Sequence, residues 1–242
     1  MRPQVIVTSY RRLNYLNQTL ESMRQDDVEI IVIDGSAGDG GEMERFLQSA
    51  YADGLLDEFY QFSEPNPGAD VLKNHGVGCI DQPTFIISSD DLIYPPGWAT
   101  LLMDNYRKIN SGPDKYTMCA CSTEELIAEW GKRPEHADGN AYRTINGVKF
   151  MGVGFSMVAG AVMDTDAVRR VGCFPVYGKT GCGDVAISKR LGKLGYHVGY
   201  FREPVCRHIG REKVADYPEY SAAFRIDEDE YFQKAARDEW RP

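Results

Sequence analysis

Phe85-Ile86-Ile87-Ser88-Ser89-Asp90-Asp91 is the stretch on which the fold turns. Its apolar start has no polar alternation, so it reads as a strand covered on both faces. Tyr94-Pro95-Pro96-Gly97-Trp98 follows, which stops the strand and opens a helix. Two adjacent carboxylates would then stand at a strand's C-terminal edge, where open α/β sheets bind ligands. Packed together they repel, unless a cation or hydrogen-bond donors offset the repulsion. Such oxygen ligands suit magnesium or manganese, which bridge to phosphate oxygens. The other reading is a polar turn that caps the next helix.

Upstream of this stretch the chain alternates strand-like and helix-like segments. Gln4 to Thr8 reads as a strand. Leu13, Leu16, Leu20 and Met23 fall at helical spacing, so Arg12 to Arg24 reads as an amphipathic helix. Glu29 to Ile33 is a second strand that ends at Asp34. Met43, Phe46, Leu47 and Ala50 mark another helix, and Leu55 to Phe62 a third strand. Pro65-Asn66-Pro67-Gly68 is a turn, and Ala69 to Cys79 a helix. Repeated strand–helix units predict right-handed crossovers and a mainly parallel sheet, with Asp34 and Asp90 at one edge.

The second half is less regular. Trp98 to Ile109 reads as a helix and Tyr116 to Cys121 as a strand. Ser122 to Lys149 is polar and reads as an excursion over the sheet. Phe155 to Met163 is an apolar strand and Asp164 to Val171 a short helix. A glycine-rich loop, Tyr177 to Gly183, precedes a helix over Asp184 to Leu194 with Val185, Ile187, Leu191 and Leu194 inward. His197 to Phe201 is the last strand, followed by Pro204-Val205-Cys206-Arg207-His208. From Arg211 the chain is charged and aromatic, and Asp227-Glu228-Asp229-Glu230 reads as a solvated tail or helix face. Gly181-Cys182-Gly183-Asp184-Val185-Ala186 fits a loose dinucleotide-binding pattern, but a fingerprint of that kind should open the first βαβ unit.

Surface scaling gives this 242-residue chain about 11,000 Å² folded against about 39,000 Å² unfolded, enough burial for one substantial core. Its 43% hydrophobic and 26% charged residues are those of a globular protein. The net charge of −9 argues against a nucleic-acid partner, whose backbone needs clustered Lys and Arg. No apolar run approaches transmembrane length, and Met1-Arg2-Pro3 leads straight into a strand without a signal core. The six Cys lack metal-site spacing, so reduced thiols and a cytoplasmic location are expected.

In order, these motifs resemble the family 2 glycosyltransferases, whose GT-A fold is a Rossmann-like, mainly parallel sheet flanked by helices, with a smaller mixed second sheet. The matching stretches are Val5-Ile6-Val7-Thr8-Ser9-Tyr10, Ile30-Ile31-Val32-Ile33-Asp34-Gly35-Ser36, Lys73-Asn74-His75-Gly76, Ile87-Ser88-Ser89-Asp90-Asp91, Gly160-Ala161-Val162-Met163, Gly183-Asp184 with Arg190, and His208. They run from about Gln4 to Gly210. The resemblance implies one domain over residues 1–210, with a nucleotide-binding half at 1–110, an acceptor-binding half at 111–210 and a C-terminal extension at 211–242.

The resemblance also assigns candidate residues. The family's Asp-x-Asp metal motif reads Ser88-Ser89-Asp90 here, so its first carboxylate is replaced. Asp90 would contact Mn2+ (or Mg2+), and Ser88 keeps only a hydroxyl for a ribose. Ser89 and Asp91 are donor-site candidates beside them. Asp91 is expected to project away from Asp90, because successive side chains of an extended chain alternate. His208 is the second expected metal ligand, an imidazole that favours manganese. Asp34 would accept the imide N–H of uracil, with Thr8, Ser9 and Tyr10 lining the same pocket. Lys73 would lie near the diphosphate, unless it is an ordinary solvated helix residue. Asp184 would remove the proton of an acceptor hydroxyl, being ionised at an ordinary carboxylate value of about 3.9. Its family neighbour is an acidic residue, replaced here by Gly183. Asp184 also suits a helix N-cap, and the two roles are compatible.

The implied activity is metal-dependent transfer of a sugar, with inversion, from a nucleotide-diphosphate donor, first of all a UDP-sugar. The acceptor would be the hydroxyl of a glycan, protein or small molecule. Ser122 to Lys149 and the tail would shape its site. Two alternatives remain: a sugar-nucleotide binding protein with little transfer, and a nucleotidyltransferase. The second expects a glycine-rich loop after the first strand, where this chain has Thr8-Ser9-Tyr10-Arg11-Arg12.

Overall fold

A computed structural model describes residues 1–37, 40–64, 66–130, 142–154, 156, 160–177, 183–210, 233, 234, 237 and 240. Its elements in chain order are β1 (Gln4–Ser9), α1 (Leu13–Met23), β2 (Glu29–Asp34), α2 (Glu42–Ala52), β3 (Glu58–Gln61), α3 (Ala69–Cys79), β4 (Thr84–Ser89), β5 (Leu92–Ile93), α4 (Trp98–Ile109), β6 (Tyr116–Thr123), α5 (Glu124–Trp130), β7 (Arg143–Ile145), β8 (Val148–Gly152), β9 (Ala161–Asp164), α6 (Thr165–Arg170), α7 (Gly183–Lys193) and β10 (His197–His208). Most of the expected Phe155–Met163 strand before Gly160, most of the Tyr177–Gly183 loop, residues 131–141 of the polar excursion and the Asp227–Glu230 run lie outside the described residues.

The ten-stranded sheet runs β3-β2-β1-β4-β9-β6-β10-β8-β7. The first four strands are parallel, as the repeated strand–helix units require. β9 pairs antiparallel with both β4 and β6, and β6 pairs parallel with β10. β5 pairs with the end of β10 off the main path, through Leu92 with His208 and Ile93 with Arg207.

Alternation along the strands explains the layering. Val5, Val7, Ile30, Val32 and Ile86 face a core with Leu16, Leu20, Leu47, Trp98 and Leu102, on the side of α1, α2 and α4. Ile6, Ile31, Ile33, Phe85 and Ile87 face the opposite core with Leu72, Val77, Val168, Ile187 and Leu191, from α3, α6 and α7. Both sets are apolar because both faces are covered. Fully burying each such side chain is worth about 1.5–3 kcal/mol. α3 lies close on the sheet: a methyl at Gly76 would sit 2.5 Å from Cγ2 of Ile6.

Three segments differ from expectation. β3 is shorter than Leu55–Phe62, because Leu55 donates its N–H to Ala50 O at 2.8 Å and Leu56 packs into the core at the end of α2. The polar excursion holds α5 and a β7–β8 hairpin, whose Asn146-Gly147 turn has φ of +49° and +79° at its two central residues. β10 runs on through Pro204 to His208, since the β6 register shifts between Tyr200 and Val205 and the missing N–H costs no ladder bond there. Among the described residues, no helix is long and apolar enough to cross a membrane.

Candidate active site

The parallel register brings the ends of β1, β2 and β4 level. Ser9 pairs with Asp34, and Thr8 with Ser89. Asp90 follows β4 and is fully buried, and Asp91 is 5% exposed. The expected divergence of these two side chains is not observed. The guanidinium of Arg12, just before α1, spans them, with one nitrogen on Asp90 Oδ1 and the other 2.7 Å from Asp91 Oδ2. Asp90 Oδ2 also accepts from Ser9 Oγ at 3.0 Å and from the N–H of Tyr10 at 3.4 Å.

Asp91 is held from three further directions. Ser89 donates to Oδ1 at 2.5 Å, and His208 Nε2 lies 3.1 Å from Oδ2. Ile209 donates its N–H to Asp91 O at 2.9 Å. Gly210 lies against the same carboxylate, so a Cβ there would be 2.5 Å from Oδ2. Burial pushes Asp90 up to about 6, reinforced by the charge of Asp91 and opposed by Arg12. Burial also works against ionised Asp91, but the His208 hydrogen bond and Arg12 hold it well below the usual carboxylate range. The same hydrogen bond raises His208 above an ordinary imidazole, against desolvation.

Asp34 is fully buried. Its Oδ1 accepts from Ser36 Oγ at 2.6 Å, and its Oδ2 from the Ser36 N–H at 3.0 Å and Gln61 Nε2 at 2.9 Å. Ser36 Oγ in turn accepts from the N–H of Arg11 at 2.6 Å. Arg11 holds φ of +58°, and its guanidinium lies 5.4 Å from the Tyr10 ring centroid. The left-handed backbone of a non-glycine residue is costly and persists only where its surroundings fix it. Asp34 thus ties the turns after β1 and β2 together.

Ser88 does not join this edge. Its hydroxyl shares a 2.8 Å hydrogen bond with Tyr94 OH in the interior. Thr8 Oγ1 lies 3.5 Å from Ser88 O and is half-buried.

A second charged group forms where α3 meets α7. Lys73 is 6% exposed, so the solvated-residue reading fails. Its ammonium lies 2.9 Å from Asp70 Oδ1 and 5.2 Å from the Phe174 ring centroid. Asp70, fully buried, accepts from the Gly183 N–H at 2.9 Å through its other oxygen. Asp184 follows on the first turn of α7, half-buried, with Oδ1 3.0 Å from the Val185 N–H. Burial raises its proton affinity, Lys73 lowers it and Asp70 raises it. A carboxylate so lifted is a stronger base than a solvated one. α3 follows β3, and α7 precedes β10, itself parallel to β6, so both helices start at the edge that carries Asp34 and Asp90.

Two residues of these networks escaped the sequence reading. Arg12 passes there as the first residue of a helix, and Asp70 goes unmarked within the Ala69 to Cys79 helix. The signals present were Arg12's place next to Thr8-Ser9-Tyr10 and the three-residue spacing of Asp70 and Lys73.

Three comparisons bear on this architecture. The family model described as Glycosyl transferase family 2 matches residues 4–172. No curated protein sequence matches. Among solved structures, the mannosyltransferase PcManGT from Pyrobaculum calidifontis, in complex with GDP-Man and Mn2+, superposes with a TM-score of 0.68 at 20% identity, covering 100% of this chain and 66% of that one. S. aureus TarS 1-349 in complex with UDP-GlcNAc gives 0.60 at 12% identity, over 86% of this chain and 58% of that one. GalNAc-T7 with UDP, GalNAc and Mn2+ gives 0.62 at 11% identity, over 86% and 44%. This chain therefore spans two thirds or less of the length of each. At these identities the likeness shows a shared fold.

Proposed function

The chain belongs to Glycosyl transferase family 2, and from that premise we propose that it moves a sugar from a nucleoside-diphosphate donor to an acceptor hydroxyl. One observation carries the reading. Asp34, the Arg12–Asp90–Asp91–His208 group and Asp184 all stand at one edge of a GT-A sheet. Edges of this kind hold nucleotide ligands in open α/β sheets.

Asp184 takes the acceptor's proton. The acceptor oxygen then attacks the anomeric carbon from the face opposite the leaving group. The carbon–oxygen bond to the diphosphate breaks and its electron pair leaves with the nucleotide, so configuration inverts. Arg12 and Lys73 are the positive groups that the departing diphosphate meets at this edge. Uridine is our first choice of nucleoside, because the Asp34 carboxylate suits an imide N–H. Ser36 and Gln61 cover that carboxylate, so base contact requires the Ser36 turn to give way.

A divalent cation on the donor was expected at Asp90 and His208. The donor set is right in kind, two carboxylates and an imidazole, yet its arrangement does not fit an ion. Arg12 already occupies an oxygen of each carboxylate, and His208 pairs with Asp91 rather than Asp90. Among the described residues, no three His, Cys, Asp or Glu side chains are grouped to hold a metal.

Release of nucleoside diphosphate from UDP-sugars and GDP-mannose, with and without Mn2+, tests the reading. Asp184→Asn should lower turnover at least about 100-fold, the usual scale for a general base. Undiminished turnover would remove Asp184 from the reaction. A second reading, donor binding without transfer, draws support from Ser88 and Gly183, which stand where the family pattern has acidic residues. Calorimetric binding with no nucleotide release would favour it.

A further inference from the structure

The residue before Asp184 is glycine for a steric reason. A Cβ built on Gly183 would lie 2.6 Å from the carboxyl carbon of Asp70 and 2.6–2.7 Å from its oxygens, far inside contact distance. The space of that side chain is taken by a carboxylate from α3, and the same carboxylate accepts the Gly183 N–H. Asp70 thus holds the first residue of α7 through one oxygen and Lys73 through the other. An acidic group absent from position 183 is supplied through space from position 70.

We propose that Asp70 and Lys73 are positioning residues for Asp184. Asp70 fixes the start of α7, and the Asp70–Lys73 pair sets the charge that Asp184 faces when it takes a proton. The proposal rests on the transferase reading above. Among the described residues, charged groups that act on Asp184 come from α3. From α3 they are Lys73, which favours its ionised form, and Asp70, which disfavours it. From α7 backbone N–H groups favour its ionised form. Two described arginines of this region have partners of their own. Arg190 donates to Val171 O at 3.0 Å and lies over the Trp240 ring, and Arg169 donates to the carbonyls of Val77 and Ile80.

One buried ammonium therefore contacts the Asp70 carboxylate and acts through space on that of Asp184. Fully committed to Asp184, the lysine would hold that carboxylate ionised and weaken it as a base. Burial is the main cause that lifts the proton affinity of Asp184 above that of a solvated aspartate; Asp70, which holds the lysine at 2.9 Å, adds to it. Phe174 packs over the ammonium and keeps it in place.

The test reads Asp184 directly, by 13C NMR titration of the full chain labelled at aspartate side-chain carboxyls, with Asp184→Asn as assignment. Asp70→Asn should lower the Asp184 midpoint by about one pH unit, and Lys73→Met should raise it by about as much. Lys73→Arg should stay near wild type. Midpoints that do not move in either charge-removing variant overturn the proposal; should one variant fail to fold, the other decides. The steric part has its own readout in thermal midpoints. Gly183→Ala should destabilise the wild type strongly and the Asp70→Ala background little, and equal losses in both would refute the clamp. Neither measurement needs donor or acceptor. A chain whose Asp184 titrates as described but never turns over a nucleotide sugar refutes the transferase reading alone.

Discussion

Asp91 and His208, 117 residues apart in the chain, meet in a 3.1 Å hydrogen bond. β5 and the last residues of β10 bring them together, and the Ile209 N–H on Asp91 O fixes the approach. The pair raises the proton affinity of the imidazole. Its stabilisation is therefore complete below the ordinary imidazole value of about 6.5 and is lost as pH rises through the higher folded value. His208→Gln should cost about 1–2 kcal/mol at pH 6 and much less at pH 9. Thermal midpoints across that range check it; a loss independent of pH would show that protonated His208 contributes nothing through its charge.

Arg12 is the main counter-charge of two buried carboxylates. Arg12→Gln should destabilise the fold by about 3–5 kcal/mol, the scale for stranding a buried charge. Asp90 already sits near 6, above its unfolded value, and without Arg12 it rises further. The deficit should therefore be largest above about pH 6 and shrink toward pH 4–5, as protonation neutralises Asp90 and leaves Asp91 with His208. Mn2+ should raise the thermal midpoint of Arg12→Gln more than that of wild type, because the variant frees both carboxylates for a cation. Equal shifts would mean that these oxygens do not take one.

Gly76 leaves no room for a side chain over Ile6. Gly76→Ala should lose about 1–3 kcal/mol through overpacking, although alanine is the better helix former. Chemical denaturation measures the loss. An increase in stability would show that α3 moves off the sheet without strain.

Asp57 joins the N-terminal strand, α1 and β2, and it does so through charge. Against a desolvation cost, the Ile30 N–H at 2.8 Å and Arg24 at 2.7 Å hold it below the ordinary carboxylate value, with Arg2 at 3.0 Å. Its contribution is present above about 3.9 and disappears as pH falls through the lower folded value. Asp57→Asn should cost about 1 kcal/mol at pH 7 and progressively less as pH falls through the acid range. Parallel stability curves for the two proteins through the acid limb would refute the pairing.

The regular half of the molecule was legible because both faces of its strands are covered. Val5 to Val7, Ile30 to Ile33 and Phe85 to Ile87 need no partner information to be recognised, and α3 and α4 match their expected spans. What escaped depends on residues far apart in sequence. Nothing near Phe85 shows that β9 would pair with it, and nothing near Asp90 shows that Arg12 would reach it. The sequence left Lys73 open between a diphosphate contact and a solvated residue, because its partner Asp70, one turn earlier in the same helix, is itself buried by α7. The hydroxyl of Ser88 faces inward because Tyr94, after the β5 turn, folds back over it. Local propensity places elements along the chain, whereas charge networks follow from the crossovers.

The insertion of β9 beside β4 has a consequence for synthesis. A ribosome that has released residues 1–110 has already produced β1 to β4, whose parallel block can assemble at once. The outer edge of β4 then waits, with Phe85, Ile86 and Ile87 uncovered, until residues 161–164 emerge and pair with residues 84–87. At about 5–20 residues per second, the delay lasts several seconds. During that interval the nascent chain offers an apolar, unpaired strand to its neighbours, the situation that invites association between chains. Slowed translation between residues 110 and 160, or depletion of chaperones that hold nascent chains, should therefore lower the soluble yield of this protein more than its native stability would suggest.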